Sequence, residues 1–125
     1  MLKVKKILIT GVTGQDGSHM ADYLLKNTGH TIIGAVRRLS VKNHKNIEHL
    51  EKEERFSLID LDVSDQANTE QIISKEKPDY LINFAANSFV GNSWAQPVSH
   101  MTTNCLAVLY QLEAVRKHCP DCRYY

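Results

Sequence analysis

Three glycines stand three residues apart, at Gly11, Gly14 and Gly17, in the run Thr10-Gly11-Val12-Thr13-Gly14-Gln15-Asp16-Gly17. They follow a short apolar, β-branched stretch from Lys5 to Thr10. They precede a segment carrying Met20, Ala21, Leu24 and Leu25 at helical spacing. A glycine turn between a strand and a helix is suited to phosphate binding. The first glycine allows the tight turn, the second lets backbone approach a pyrophosphate, and the third lets the helix pack close to the strand. The helix start adds unpaired N–H groups and the positive end of its dipole. A tight strand-to-helix turn that holds no ligand is the plain alternative.

A second cluster follows the next apolar run, Thr31 to Val36. It begins Arg37-Arg38, with Ser40 close by. An acid at this position would bond ribose hydroxyls and repel a 2′-phosphate, whereas guanidinium groups grip a phosphate bidentately. The pair therefore favours NADP over NAD; two solvated loop arginines would be the plain alternative.

After Phe56 to Asp60 comes Leu61-Asp62-Val63-Ser64-Asp65. Asp62 can accept from an adenine amino group and the Val63 N–H can donate to the ring. Ser64 or Asp65 can cap the following helix. The run Asn83-Phe84-Ala85-Ala86-Asn87-Ser88 ends a fourth apolar stretch. Small Ala85 and Ala86 would let backbone pass close to a nicotinamide ribose, and Ser88 could donate to a cofactor or substrate hydroxyl.

These clusters need elements to hold them, and the sequence supplies an alternation. Strands are predicted at Lys5 to Thr10, Thr31 to Val36, Phe56 to Asp60 and Tyr80 to Phe84. Helices are predicted from Ser18 to Asn27, where Asn27-Thr28-Gly29 supplies a left-handed end, briefly at Ile47 to Lys52, and from the Ser64/Asp65 cap to about Lys75. Ile72 and Ile73 of that last helix point inward, and Pro78 follows it. A long helix runs from Pro97 to about His118. Its stripe of Val98, Met101, Cys105, Val108, Leu109, Leu112 and Val115 is the most regular in the chain. Asn104 within it suggests a buried amide bridging backbone groups. Arg123-Tyr124-Tyr125 opens a fifth strand. The expected fold class is α/β: a Rossmann-like, doubly wound parallel sheet with right-handed crossovers, incomplete, holding the first four strands plus the start of a fifth.

Composition sets outer limits. A formal net charge of +1 gives no bulk argument for nucleic acid or an anionic membrane. Runs such as Ile7-Leu8-Ile9 are too short to span a bilayer. The N-terminal Met-Leu-Lys-Val-Lys-Lys lacks the features of a secretory leader, so a cytoplasmic protein is expected. Three cysteines, Cys105, Cys119 and Cys122, fit a reducing compartment. Cys119 and Cys122 form a C-x-x-C, but after a helix rather than at the start of one. A turn before a strand is the expected reading, and a metal or redox pair the alternative.

The glycine run, the Asp after strand three and the Asn-x-Ala-Ala after strand four resemble the extended short-chain dehydrogenase/reductase family. Gly14-Gln15-Asp16-Gly17, Arg37-Arg38-Leu39-Ser40, Asn43 and Ile47-Glu48-His49-Leu50 narrow the resemblance to the GDP-mannose 4,6-dehydratases. That resemblance implies NADP acting within one turnover. Hydride leaves C4 of the hexose, water is lost across C5–C6, and the hydride returns at C6, giving GDP-4-keto-6-deoxymannose. The matching cofactor positions are Gly11, Thr13, Gly14, Gln15, Asp16, Gly17, Arg37, Arg38, Ser40, Asp62, Val63, Ala85, Ala86 and Ser88. The resemblance also implies GDP-mannose as substrate and a homo-oligomer contacted through the Arg38 to Asn43 loop. Phe89 and Ser99 depart from the family pattern, which often has His and Tyr there.

Proton chemistry in that family uses a tyrosine with lysine four residues on, the lysine lowering the tyrosine pKa. Four residues after Tyr23, Tyr80 and Tyr110 stand Asn27, Phe84 and Ala114. The expectation is that residues 1–125 are the N-terminal part of an NADP-binding Rossmann domain, without catalytic residues or a substrate domain. Such a piece would be inactive alone and prone to self-association at its sheet edge. A related GDP-sugar reductase or epimerase and a non-catalytic NADP-binding module are the competing readings.

Overall fold

The computed structural model describes residues 3–125, so Met1 and Leu2 of the stretch inspected for a leader lie outside it. Five parallel strands form one sheet: β1 (Lys6–Thr10), β2 (Thr31–Val36), β3 (Phe56–Asp60), β4 (Tyr80–Asn83) and β5 (Arg123–Tyr124). Their spatial order is β3-β2-β1-β4-β5. The chain thus builds outward from β1 to β3, then crosses to the other side of β1 for β4 and β5. In open parallel sheets, ligands bind at the carboxyl ends of the strands beside that reversal. Here those ends are Thr10 and Asn83, which face each other in register.

The strand sequences explain the layering. A strand covered on both faces reads as continuous apolar residues, and β1 is apolar throughout its centre. Ile7 and Ile9 pack with Val12, Ala21, Leu25 and Ile32 beneath helix α1 (Gln15–Asn27). Leu8 points the other way, joining Ile33, Ala35, Ile73, Leu81 and Ala114 under helices α2 (Gln66–Glu76) and α4 (Ala107–His118). At its entrance, β1 is tied to the start of β4. The Lys6 N–H donates to Asp79 Oδ2 at 2.9 Å, and Lys5 Nζ donates to Oδ1 at 3.0 Å. The Lys6 amide and then the Lys5 ammonium hold the Asp79 carboxyl below its ordinary value of 3.8.

Asp65 caps α2 by accepting from the Asn68 N–H at 3.0 Å. That helix ends with Lys77 in the left-handed region (φ 43°) before Pro78. Cys119 and Cys122 form the turn into β5, with the Cys122 N–H donating to the Cys119 carbonyl at 2.8 Å. Burial pushes both thiols up, Cys122 to about 12, the reverse of what a reactive thiolate needs.

Three expectations are corrected. α1 does not end in a left-handed residue: Thr28 is extended (φ −135°), and its N–H and hydroxyl both donate to the Leu24 carbonyl. β4 ends at Asn83 rather than Phe84, with the Phe84 N–H still donating to the Thr10 carbonyl at 3.2 Å and the Ala85 N–H to the Thr10 hydroxyl instead of a backbone partner. The fifth strand opens beside β4 as expected. β5 pairs with Tyr80 and Leu81, and the Asn83 N–H donates to the Tyr125 carbonyl at 2.8 Å.

The third correction concerns the long helix. It is built as α3 (Pro97–Met101), a π-turn (Thr102–Leu106) and α4. Most of its apolar stripe is not the buried face. Val98, Met101, Cys105, Leu109 and Leu112 are exposed and Val108 is half-buried, while of the stripe Val115 is buried, beside Ala107, Gln111 and Ala114. A π-turn inserts one residue and shifts the phase of everything beyond it. Gln111 moreover turns inward because it has polar partners there, Asn83 and Tyr124, a choice that hydrophobic periodicity does not register.

Candidate functional site

The carboxyl ends of β1, β2, β3 and β4 open into a cleft of about 1300 Å³. On the β1 side its wall is the glycine loop. Gly11 has φ +64°, and a Cβ there would come within 2.7 Å of the Phe84 backbone. The first turn of α1 crosses the loop so closely that a Cβ on Gly17 would overlap the Gly11 carbonyl oxygen and lie 2.8 Å from Val12 Cα. Both positions therefore require glycine. Gly14 is the N-cap of α1, and no side chain caps it. The first-turn amides are left for whatever enters the cleft. Thr13, Gln15 and Asp16 complete this wall.

Arg37, Arg38 and Ser40 line the cleft at the end of β2. Neither guanidinium makes a hydrogen bond or ion pair among the described residues, so both charges face the cleft uncommitted. Lys42 continues the same basic wall, with His44 beside it. Neither carries a sequence signal of its own, because single polar residues in a loop look like ordinary solvated ones. Asp62 and Val63 line the cleft beyond β3. Asp62 Oδ1 accepts from the Ser64 N–H at 3.0 Å and from its hydroxyl at 2.6 Å. The Asp62 N–H in turn donates to Asn68 Oδ1 at 3.0 Å. The carboxylate is thus fixed through one oxygen, leaving the other without a protein partner.

Ala85, Ala86 and Ser88 form the remaining wall. The Thr10 hydroxyl donates to Asn83 Oδ1 at 2.6 Å and accepts from the Ala85 N–H at 3.2 Å. Asn104 grips Asn87 at both backbone groups: its Oδ1 accepts from the Asn87 N–H at 2.7 Å, and its Nδ2 donates to the Asn87 carbonyl at 3.0 Å. The Asn87 side chain reaches back to Ser99 and Thr103. Asn104 therefore does bridge backbone groups, but it is exposed rather than buried, because the π-turn carries it to the rim of the cleft. All fourteen sequence-selected cofactor positions line this one cleft. Phe89, which departs from the family pattern, lies outside it and is 69% exposed.

The family model described as GDP-mannose 4,6 dehydratase matches residues 8–125. The chain belongs to the GDP-mannose 4,6-dehydratase family. The GDP-mannose 4,6-dehydratase of Vibrio cholerae is 36% identical over 117 residues, which cover 90% of this chain and 31% of that one. Among solved structures, the UDP-Glc/GlcNAc 4-epimerase from Campylobacter jejuni superposes with a TM-score of 0.83 at 28% identity, over 96% of this chain and 36% of that one. The Bordetella bronchiseptica enzyme WbmH in complex with NAD+ gives 0.73 at 28% identity, over 93% and 36%. The chain spans about a third of the length of the relatives it matches. Within the family's fold, the matched region is the Rossmann-like sheet with its crossover helices. Among the described residues no helix is long and apolar enough to cross a membrane.

Proposed function

We propose that residues 1–125 are the NADP-binding N-terminal part of a GDP-mannose 4,6-dehydratase, a lyase whose sugar-binding domain and catalytic residues lie outside this sequence. The observation that carries the cofactor reading is the pair Arg37 and Arg38. Both are unpaired, both line the same cleft as the glycine loop, and both stand where an acid would select NAD. Gly11, Thr13, Gly14, Gln15, Asp16 and Gly17 would hold the pyrophosphate. Arg37, Arg38 and Ser40 would hold the 2′-phosphate, Asp62 and Val63 the adenine, and Ala85, Ala86 and Ser88 the nicotinamide ribose. The bound cofactor would take up one hydride and return it while GDP-mannose loses water to become GDP-4-keto-6-deoxymannose.

The spacing of tyrosines and lysines supports the division, since four residues after Tyr23, Tyr80 and Tyr110 stand Asn27, Phe84 and Ala114 rather than lysine. Alone, this chain should turn over no GDP-mannose. We assign the parent protein to the cytoplasm, a reading supported by three cysteines that are all free thiols. We assign its homo-oligomer contact to the Arg38 to Asn43 loop, where Leu39 and Val41 are 47% and 80% exposed.

Titrating the purified chain with NADPH and NADH, by fluorescence or heat, tests the cofactor reading. NADPH should bind more tightly, and Arg37→Ala with Arg38→Ala should erase the preference. A second reading, NAD in place of NADP, is favoured by the NAD+ complex of WbmH. Equal or tighter NADH binding, unaffected by the double substitution, would establish it.

A further inference from the structure

The basic loop that follows β2 is held to the rest of the protein at few points. From Arg37 to Asn43, outside the sheet ladder, it makes no hydrogen bond among the described residues. Order returns at its far end. The Asn46 Nδ2 donates to the Thr13 carbonyl at 2.9 Å, and the Ile47 N–H donates to the His44 carbonyl at 2.8 Å. Ile47 is fully buried, and His49 meets Asp22 of α1 at 2.6 Å. Of these contacts, the Asn46 bond alone reaches the glycine loop itself, on a residue that lines the cleft.

We infer that Asn46 is a positioning residue for cofactor selectivity: by tethering the return leg of the basic loop to Thr13, it fixes Arg37, Arg38 and Lys42 relative to the pyrophosphate-binding turn. The inference rests on the NADP reading above. A seven-residue segment without internal bonds can present its cations at many positions. A 2′-phosphate is held bidentately only where the guanidinium groups are pre-placed. The tether removes part of that freedom before the ligand arrives. Binding through the pyrophosphate alone does not depend on it.

The test compares the parent chain with Asn46→Ala, Asn46→Gln and the Arg37→Ala/Arg38→Ala double variant, each titrated with NADPH and NADH. In Asn46→Ala, NADPH affinity should fall about 3- to 10-fold, the range for loss of one neutral hydrogen bond, with NADH affinity unchanged. Asn46→Gln keeps the amide donor and should recover most of the preference. Trypsin should cut the Asn46→Ala chain faster after Lys42 and Lys45, since a loosened loop opens more often. An Asn46→Ala chain that keeps the parent NADPH:NADH ratio overturns the inference, as does equal loss of both affinities. If the double arginine variant keeps the parent ratio, the phosphate clamp itself is wrong and the inference falls with it. That arm tells the two failures apart.

Discussion

Gln111, fully buried on α4, donates from Nε2 to Asn83 Oδ1 at 3.1 Å at the carboxyl end of β4. Its Oε1 accepts from the Tyr124 hydroxyl of β5 at 3.3 Å. Asn83 also takes the Thr10 hydroxyl, which holds the Ala85 N–H. One side chain thus links the last helix and the last strand to the backbone that walls the cleft. Buried polar groups of this kind stabilise only while every member is satisfied.

Replacing Gln111 with leucine keeps the volume but strands the Tyr124 hydroxyl and removes one donor from Asn83. Stability should fall by about 1–3 kcal/mol in urea unfolding. Burial holds the Tyr124 phenol up at about 12, so its ionisation in an alkaline absorbance titration should move down toward the ordinary value of 10 as β5 loosens. An unchanged midpoint and titration would remove the network from the account of the fold.

Asp62 and Asp65 are three residues apart and do different work. Asp65→Ala deletes the α2 cap and should cost about 1 kcal/mol of stability, leaving NADPH affinity untouched. Asp62→Ala should weaken NADPH binding, since its free carboxylate oxygen is the proposed adenine acceptor. Thermal melts and titrations on both variants check the division. A reversed pattern would mean that Asp62 is structural and the adenine lies elsewhere.

Asp79 gives the fold an acid dependence. Its folded pKa lies below 3.8, so its contribution is fully present above the unfolded value. It is lost as pH falls through the folded one. Asp79→Asn should melt below the parent at pH 7, and the gap should narrow as pH falls below 3.8 and through the lowered folded value. Melting curves at several pH values would show it; a gap that is constant with pH would mean the carboxylate charge contributes nothing.

Much of this protein was legible in its sequence because the governing rules are local. Ile7, Leu8 and Ile9 cannot be satisfied except in a strand covered on both faces. Gly11, Gly14 and Gly17 between strand and helix specify a particular turn. Asp65 caps α2 through a bond three residues long. The alternation of such segments then fixes a parallel sheet, and the strand ends bring residues 11–17, 37–40, 62–63 and 85–88 to one side of it.

What only the tertiary structure decided depends on partners far away in sequence. Which face of the long helix is buried follows from a π-turn and from Gln111 finding Asn83 and Tyr124. Neither carries a hydrophobic signature. That Asn104 clasps the Asn87 backbone, and that Asn46 ties the basic loop to Thr13, are contacts across 17 and 33 residues. Periodicity counts apolar side chains along one element. Polar bonds between elements form only once the sheet has fixed the distances.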